Sequence, residues 1–236
     1  MIPLLISCEN ATCAVPEQWR DLFRGDEEIV TSPEGWEPGS LNLAQGFAMR
    51  FRTPLVHSDV TRLLIDLDAD GPARWSRYGM RLTDIQRAKL EDRHARPYLE
   101  LLQARITEAL RRDPLIAHIM VHTSTGDQEA VVIETIAGDE PASKFASDWA
   151  RDLRRHPDPL RVEARITGTL PAIPTVLRQS WPSGSYAPLV LRVSQTFFLE
   201  GRPWRWEKLK KHLLDSLATA AQAFTPSQES PSSPAH

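Results

Sequence analysis

Three short polar clusters in this chain follow or close three apolar runs. Cys8-Glu9-Asn10 comes after Pro3–Ser7 (PLLIS), Asp66-Leu67-Asp68 closes Arg62–Leu67 (RLLIDL), and His122-Thr123-Ser124 comes after Leu115–Val121 (LIAHIMV). Carboxylates and an imidazole are the side chains that hold a metal ion or pass protons near neutral pH. If the three runs are parallel strands, their polar ends meet on one sheet edge, where open α/β folds bind ligands. The plainer alternative is that polar residues mark where the chain leaves the core for solvent.

Within these clusters, Glu9 is a candidate metal ligand and proton acceptor, and His122 a candidate ligand at a strand end. Cys13 adds a thiolate that zinc would accept, against the reading of a small buried cysteine. Asp66 and Asp68, two residues apart, share one strand face and could orient a histidine or hold a metal. Arg62 and Arg178 are candidates for gripping a carboxylate, because the planar guanidinium matches it bidentately. His118 shares the face of His122 by the period of two and reads as a packed core residue.

Positioning these residues requires strands and helices in alternation. Leu43, Phe47 and Phe51 recur at helical spacing and predict a helix over Leu41–Arg52. A longer helical stretch is predicted to break near Pro97, with Tyr98, Leu101, Leu102, Ile106, Ala109 and Leu110 on one face of its second half. Ala130–Ile136 and Leu189–Val193 read as further strands. Phe145, Trp149 and Leu153 mark one more helix, and Trp206–Ala223 a closing one. Apolar strands separated by helices imply a three-layer αβα sandwich around a mainly parallel or mixed sheet. One domain over residues 1–224 is expected, followed by a disordered Ser/Pro-rich tail over Thr225–His236.

Composition narrows the function classes. The 236 residues carry 28 basic and 31 acidic side chains, a net charge of −3, so no basic excess points to nucleic acid. Two cysteines make no disulfide framework, and their spacing matches no zinc-finger pattern. No apolar run approaches the ~18 residues of a membrane span. Met1–Ile6 is too short for a secretory h-region. The expectation is a cytoplasmic protein.

Several segments, taken in order, resemble the N-formylglutamate amidohydrolase family. Leu5–Pro16 (LISCENATCAVP) is similar to its opening strand with Cys-Glu-His, small residues, Asn and Val-Pro. Glu37-Pro38-Gly39-Ser40 stands where the family has Asp-x-Gly-Ala, and Thr61–Asp68 resembles Ser-Arg-Leu-x-x-Asp-x-Asn. His94–Tyr98 is similar to a His-x-Pro-Tyr-like helix segment, and His118–Thr123 to His-x-x-Val-His-Ser. Leu177-Arg178 and Leu191–Gln195 fall where the family has Leu-Arg and Glu-x-Glu-Val-Asn-Gln.

The resemblance implies a fold similar to zinc-dependent exopeptidases and hydrolysis of an N-formyl or N-acyl acidic amino acid. Zinc would be held by Glu9, Cys13 and His122; Glu9, Asp66 and His94 would be catalytic; Arg62, Tyr98 and Arg178 would bind the small acidic substrate. Departures from the pattern point the other way. Asn10 replaces a histidine that would be a first-choice zinc ligand, and Cys13 replaces an asparagine. Val190 and Arg192 replace two carboxylates, and Ala69 replaces an arginine. The alternative is therefore a catalytically inactive homologue that keeps the pocket to bind a small anion or a partner.

Overall fold

The computed structural model describes residues 1–126, 130–155, 160–169, 171–199 and 203–224. The expected tail over Thr225–His236 lies outside the described residues. Six strands form one mixed sheet: β1 (Leu4–Cys8), β2 (Leu55–His57), β3 (Ile116–Ser124), β4 (Ala130–Ile136), β5 (Arg161–Thr167) and β6 (Tyr186–Ser194). The spatial order is β2-β1-β3-β6-β4-β5. β2, β1, β3 and β6 run parallel, β4 is antiparallel to β6, and β5 is parallel to β4.

Among the described residues eight α-helices accompany the strands: α1 (Glu28–Thr31), α2 (Ser40–Phe51), α3 (Asp84–Leu90), α4 (Arg96–Leu110), α5 (Glu140–Leu153), α6 (Ala172–Ser180), α7 (Thr196–Leu199) and α8 (Pro203–Ala223). The pleat sorts each strand's residues between two cores. Ile6, Ile119, Leu191 and their period-two neighbours pack under α2, α5 and α8, where Leu43, Phe47, Trp149, Leu213 and Leu217 are buried. Leu5, Ile116 and Tyr186 face the opposite layer, with Tyr98, Leu102 and Ile106 of α4 and Ile173 and Leu177 of α6. That sandwich is the architecture the sequence pattern predicts.

Two expectations need correction. Arg62–Leu67 is not a strand but a buried turn. Thr61 holds it: its Oγ1 donates to the Gly35 carbonyl (2.7 Å) and accepts from Leu63 N–H (3.3 Å), while its carbonyl accepts from Leu64 N–H (3.1 Å). Leu63, Leu64, Ile65 and Leu67 are buried in the α4-side core without a ladder, so an apolar run alone did not specify a strand. Arg62 and Asp66, and Asp66 and Asp68, therefore do not share a strand face. The edges of the sheet are instead the three-residue β2 and β5, neither of which carries a continuous apolar run.

The second correction concerns Pro97. The helical path is not broken there: α3 passes through a π turn at Glu91–Ala95 into α4, whose first turn contains the proline. Pro97 lacks an N–H and crowds the carbonyl one turn back, and the widened turn accommodates both effects. Leu101 is half exposed, so the apolar face of α4 is carried by Tyr98, Leu102 and Ile106.

The α2/α5/α8 layer closes on Trp149. Its ring meets Phe47 edge-on at 6.1 Å, and its indole N–H donates to Ser216 Oγ (3.1 Å). Trp149→Ala is expected to lower unfolding free energy by about 3–5 kcal/mol, and Ser216→Ala by about 1 kcal/mol. Urea titration checks both; a loss under about 1 kcal/mol for Trp149→Ala would contradict this packing.

Candidate active site

At the carboxyl edge of β1 and β3, on the α4 side, four ionisable side chains meet. β1 delivers Glu9, and β3 delivers His122 on the same face of the sheet. The loop before α2 delivers Glu37, and the buried turn delivers Asp68. The His122 ring lies between carboxylates: Nδ1 is 3.0 Å from Glu37 Oε2, and Nε2 is 3.3 Å from Glu9 Oε2 and 4.0 Å from Asp68 Oδ2. His122 and Glu9 are fully buried, whereas 17% of the Asp68 side chain is exposed, making it the member nearest solvent.

Local structure fixes each member. Glu37 N–H donates to the Asn10 carbonyl (3.0 Å), and Ser40 Oγ donates back to the Glu37 carbonyl (2.7 Å). Gly39 must follow with φ +86°, and a Cβ there would strike the Phe198 ring at 2.8 Å. Thr123 N–H donates to Glu37 Oε2 (3.2 Å), the Asn10 amide donates to Glu37 Oε1 (3.1 Å), and Arg62 Nη1 is 3.5 Å from the same oxygen. Asp66 Oδ1 accepts from Asp68 N–H (2.9 Å), which holds Asp68 at the edge.

Glu9 is anchored by a directional relay along the strands. Its Oε1 accepts from Ser7 Oγ (2.6 Å) and from the Tyr98 hydroxyl (2.9 Å). Since the Ser7 proton is committed to Glu9, His118 Nε2–H must donate to Ser7 Oγ (2.8 Å). His118 Nδ1 then accepts from the Tyr186 hydroxyl (2.7 Å). His118 is thus the neutral Nε2–H tautomer.

Electrostatics follow from burial and from these partners. Burial opposes charge on His122, but Glu37 and Asp68 outweigh it and raise the imidazolium pKa well above its ordinary value. Burial also acts against an ionised Glu9, yet the His122 contact and charge lower its pKa to about 2. Glu37 is lowered as well, with His122 and Arg62 outweighing its burial. Asp68 is pushed up to about 6 by burial, with Glu9 and Asp66 adding to the shift. Burial lowers His118 to about 4.

The residues expected from sequence divide into two groups. Glu9, Tyr98 and His122 come together, with Asp66 supporting Asp68 and Arg62 supporting Glu37. Arg62 also donates to the carbonyls of Glu34 (2.9 Å) and Pro33 (2.6 Å), so its guanidinium is largely occupied. His94 pairs with Asp59 (2.7 Å), and Cys13 is half-buried with a free thiol; among the described residues neither has a contact with the cluster. Arg178 pairs with Asp139 and lies over the Tyr186 ring. Tyr186 is opposite Ile116, six residues back along β3 from His122, roughly 20 Å away. Sequence reasoning did not assign roles to Glu37, Ser7 or Gln195. The segment containing Glu37 resembled a family motif, and Ser7 shares the Glu9 face by the period of two.

The donor set does not fit a resident zinc. Unpaired buried atoms are present: Glu9 Oε2, Asn10 Oδ1, Asp68 Oδ1, His122 Nε2 and Gln195 Oε1. Yet no three His, Cys, Asp or Glu side chains among the described residues are grouped to hold a metal. The one imidazole of the cluster has both nitrogens turned to carboxylates, Nδ1 to Glu37 and Nε2 to Glu9. Asn10, standing where a second imidazole would be, turns its amide nitrogen to Glu37.

The chain is thus a three-layer sandwich with an acid/base cluster at the carboxyl edge of a mixed sheet. It is similar to the structure of N-formylglutamate amidohydrolase from Ralstonia eutropha JMP134, with a TM-score of 0.69 and 15% identity over 94% of this chain and 95% of that one. It is also similar to gene product Atu2144 from Agrobacterium tumefaciens, with a TM-score of 0.74 and 16% identity over 93% of this chain and 89% of that one. No protein-family model and no curated protein sequence matches the chain. No helix among the described residues is long and apolar enough to cross a membrane.

The two buried histidines should titrate in opposite directions. His122 is expected to stay protonated through neutral pH, and His118 to stay neutral until the pH falls to about 4. His118 therefore contributes stability that is present above its unfolded pKa of ~6.5 and is lost as the pH falls toward 4. Histidine-selective NMR across pH 4–9 checks this; a His122 ring neutral at pH 7 would remove the ion-pair description.

Proposed function

We propose that this chain is a divergent amidohydrolase of the N-formylglutamate amidohydrolase type, acting on the amide of an N-acyl acidic amino acid in the cytoplasm. The observation that carries the reading is the His122 imidazolium held between Glu9 and Glu37 beside the partly exposed Asp68. The likeness in fold to the Ralstonia enzyme supports it.

In this reading Asp68 accepts a proton from the attacking water and returns it to the amide nitrogen as the C–N bond breaks, releasing the carboxylic acid and the amino acid. The raised pKa of Asp68 suits a base working near neutrality. The positive charge of His122 stabilises the oxyanion developing on the amide carbonyl, and Glu9 and Glu37 fix that charge in place beforehand. Arg192 is the cation assigned to the substrate carboxylate. It is 28% exposed, its Nε is tied to Glu134 (2.9 Å), and Asp68 and Glu37 act on it electrostatically. Arg62 and Arg178 are engaged elsewhere, and His94 has no part in the reaction.

A second reading is favoured by a specific observation. Both His122 nitrogens face carboxylates in a fully buried site, and Asn10 replaces a histidine of the resembled pattern. On this reading the fold is kept as a binding module for a small acidic ligand, without turnover.

Formate release from N-formyl-L-glutamate by the full chain separates the two. Turnover lost at least 100-fold in Asp68→Asn and in His122→Gln is expected from the first reading. No release, together with saturable binding of N-formyl-L-glutamate, would establish the second. The pair Asn10→His and Arg192→Glu should raise zinc affinity, measured by calorimetry, if the cluster descends from a metal site.

A further inference from the structure

β5 closes one edge of the sheet, and among the described residues no strand pairs with its outer side. Its backbone phase follows from its contacts. The Thr167 carbonyl accepts from Ala137 N–H (3.2 Å), so the peptide groups of Arg161, Glu163, Arg165 and Thr167 face β4. Those of Val162, Ala164 and Ile166 therefore face outward. The Arg154 guanidinium, just past α5, caps the Val162 carbonyl (3.1 and 3.3 Å). Beyond that cap the strand is open: Ala164 is exposed, and Ile166 is 64% exposed. An uncovered edge of this kind is a template for a further strand.

We propose that two copies of this chain associate through β5, antiparallel about an axis at Ala164, so that their two six-stranded sheets become one. In this register Ala164 meets the partner's Ala164, and Val162 meets the partner's Ile166. Glu163 meets the partner's Arg165, and symmetry makes that pair twice. The outward-facing residues fall in hydrogen-bonded pairs, as the ladder requires. Glu163 and Arg165 fall in the closer, non-hydrogen-bonded pairs, with Cα atoms ~4.5 Å apart. Arg161 and Arg165 of the same strand supply three hydrogen bonds to the Glu163 carboxylate, which has about four acceptor sites, so one remains for the partner's arginine. Other registers fail. An axis at Glu163 or at Arg165 sets like charges opposite each other. An axis at Val162 centres on the carbonyl that Arg154 occupies. The His122 cluster lies on β1 and β3, separated from β5 by β6 and β4, so the association is independent of the amidohydrolase reading.

Sedimentation velocity of the full chain over a concentration series tests the proposal. A reversible dimer with Kd on the order of 10 µM is expected from so short a contact. Glu163→Arg should weaken it about tenfold, because symmetry alters two cross-strand pairs at once. Adding Arg165→Glu should restore it. Cross-linking gives a second measurement with no change in charge. Ala164→Cys, in a Cys13→Ser background, places Cα atoms ~5.5 Å apart across the axis, within disulfide reach, and should cross-link on oxidation. Ile166→Cys in the same background lies ~13 Å from its own copy and should not. A chain still monomeric at about 200 µM would overturn the inference. A dimer indifferent to Glu163→Arg, or cross-linking at position 166 as readily as at 164, would also overturn it.

Discussion

A positive charge fully buried among carboxylates organises this end of the molecule. His122 has no exposed surface, and an unpaired imidazolium there would be strongly disfavoured, so its protonation requires Glu37 and Glu9 in place on either side. Each carboxylate in turn needs its own donors. Glu37 takes the Thr123 N–H, the Asn10 amide and the charge of Arg62; Glu9 takes Ser7 and Tyr98. These demands bring together β1, β3, the loop before α2, the buried turn and α4, five pieces that are distant in sequence. Removing one partner of such a network strands the others in low dielectric, which is why its members behave as a unit.

The relay behind Glu9 gives the network a direction. Tyr186 donates to His118, His118 to Ser7, and Ser7 to Glu9, and no member can reverse its role without leaving a neighbour unpaired. A buried polar chain of this kind costs stability unless it is fully satisfied, and here it is satisfied at every link up to Glu9 Oε1. The unsatisfied atoms begin beyond it, at Glu9 Oε2, His122 Nε2 and Asp68 Oδ1. The relay from Tyr186 to Glu9 is thus satisfied, while unpaired polar atoms gather around His122 and Asp68.

The sequence carried much of this, for reasons that differ by residue. Ala130–Ile136 and the α5 and α8 stripes were legible because apolar periodicity and burial agree. Glu9 and His122 were legible because they lie at the ends of strands whose direction the helical crossovers dictate. Arg62–Leu67 misled because burial, not pairing, selects an apolar run, and Thr61 supplies the hydrogen bonds that a ladder would have made. Asp68 still reached the site, delivered by a turn and held by Asp66. Glu37 lies before a helix in a stretch with no apolar period; the motif resemblance marked its segment, and its contacts reveal its centrality. Arg178 misled for another reason: an arginine near a resembled motif carries no information about which end of the sheet it occupies.

Several departures from the resembled pattern change the charge around His122. Arg192 is opposite His122 across the β3–β6 ladder, at a position where that pattern has a carboxylate, and Val190 removes another. Two negative charges are lost, one positive charge is gained at Arg192 and one is lost at Ala69, while Asn10 removes a neutral ligand. A centre built around a divalent cation requires anionic and imidazole ligands in number; one built around a protonated histidine does not. With the cation reduced to one proton on His122, surplus carboxylates would repel one another in a buried site, and replacing them lowers that cost. Glu134 on β4, which neutralises Arg192 at 2.9 Å, completes the same balance from the neighbouring strand.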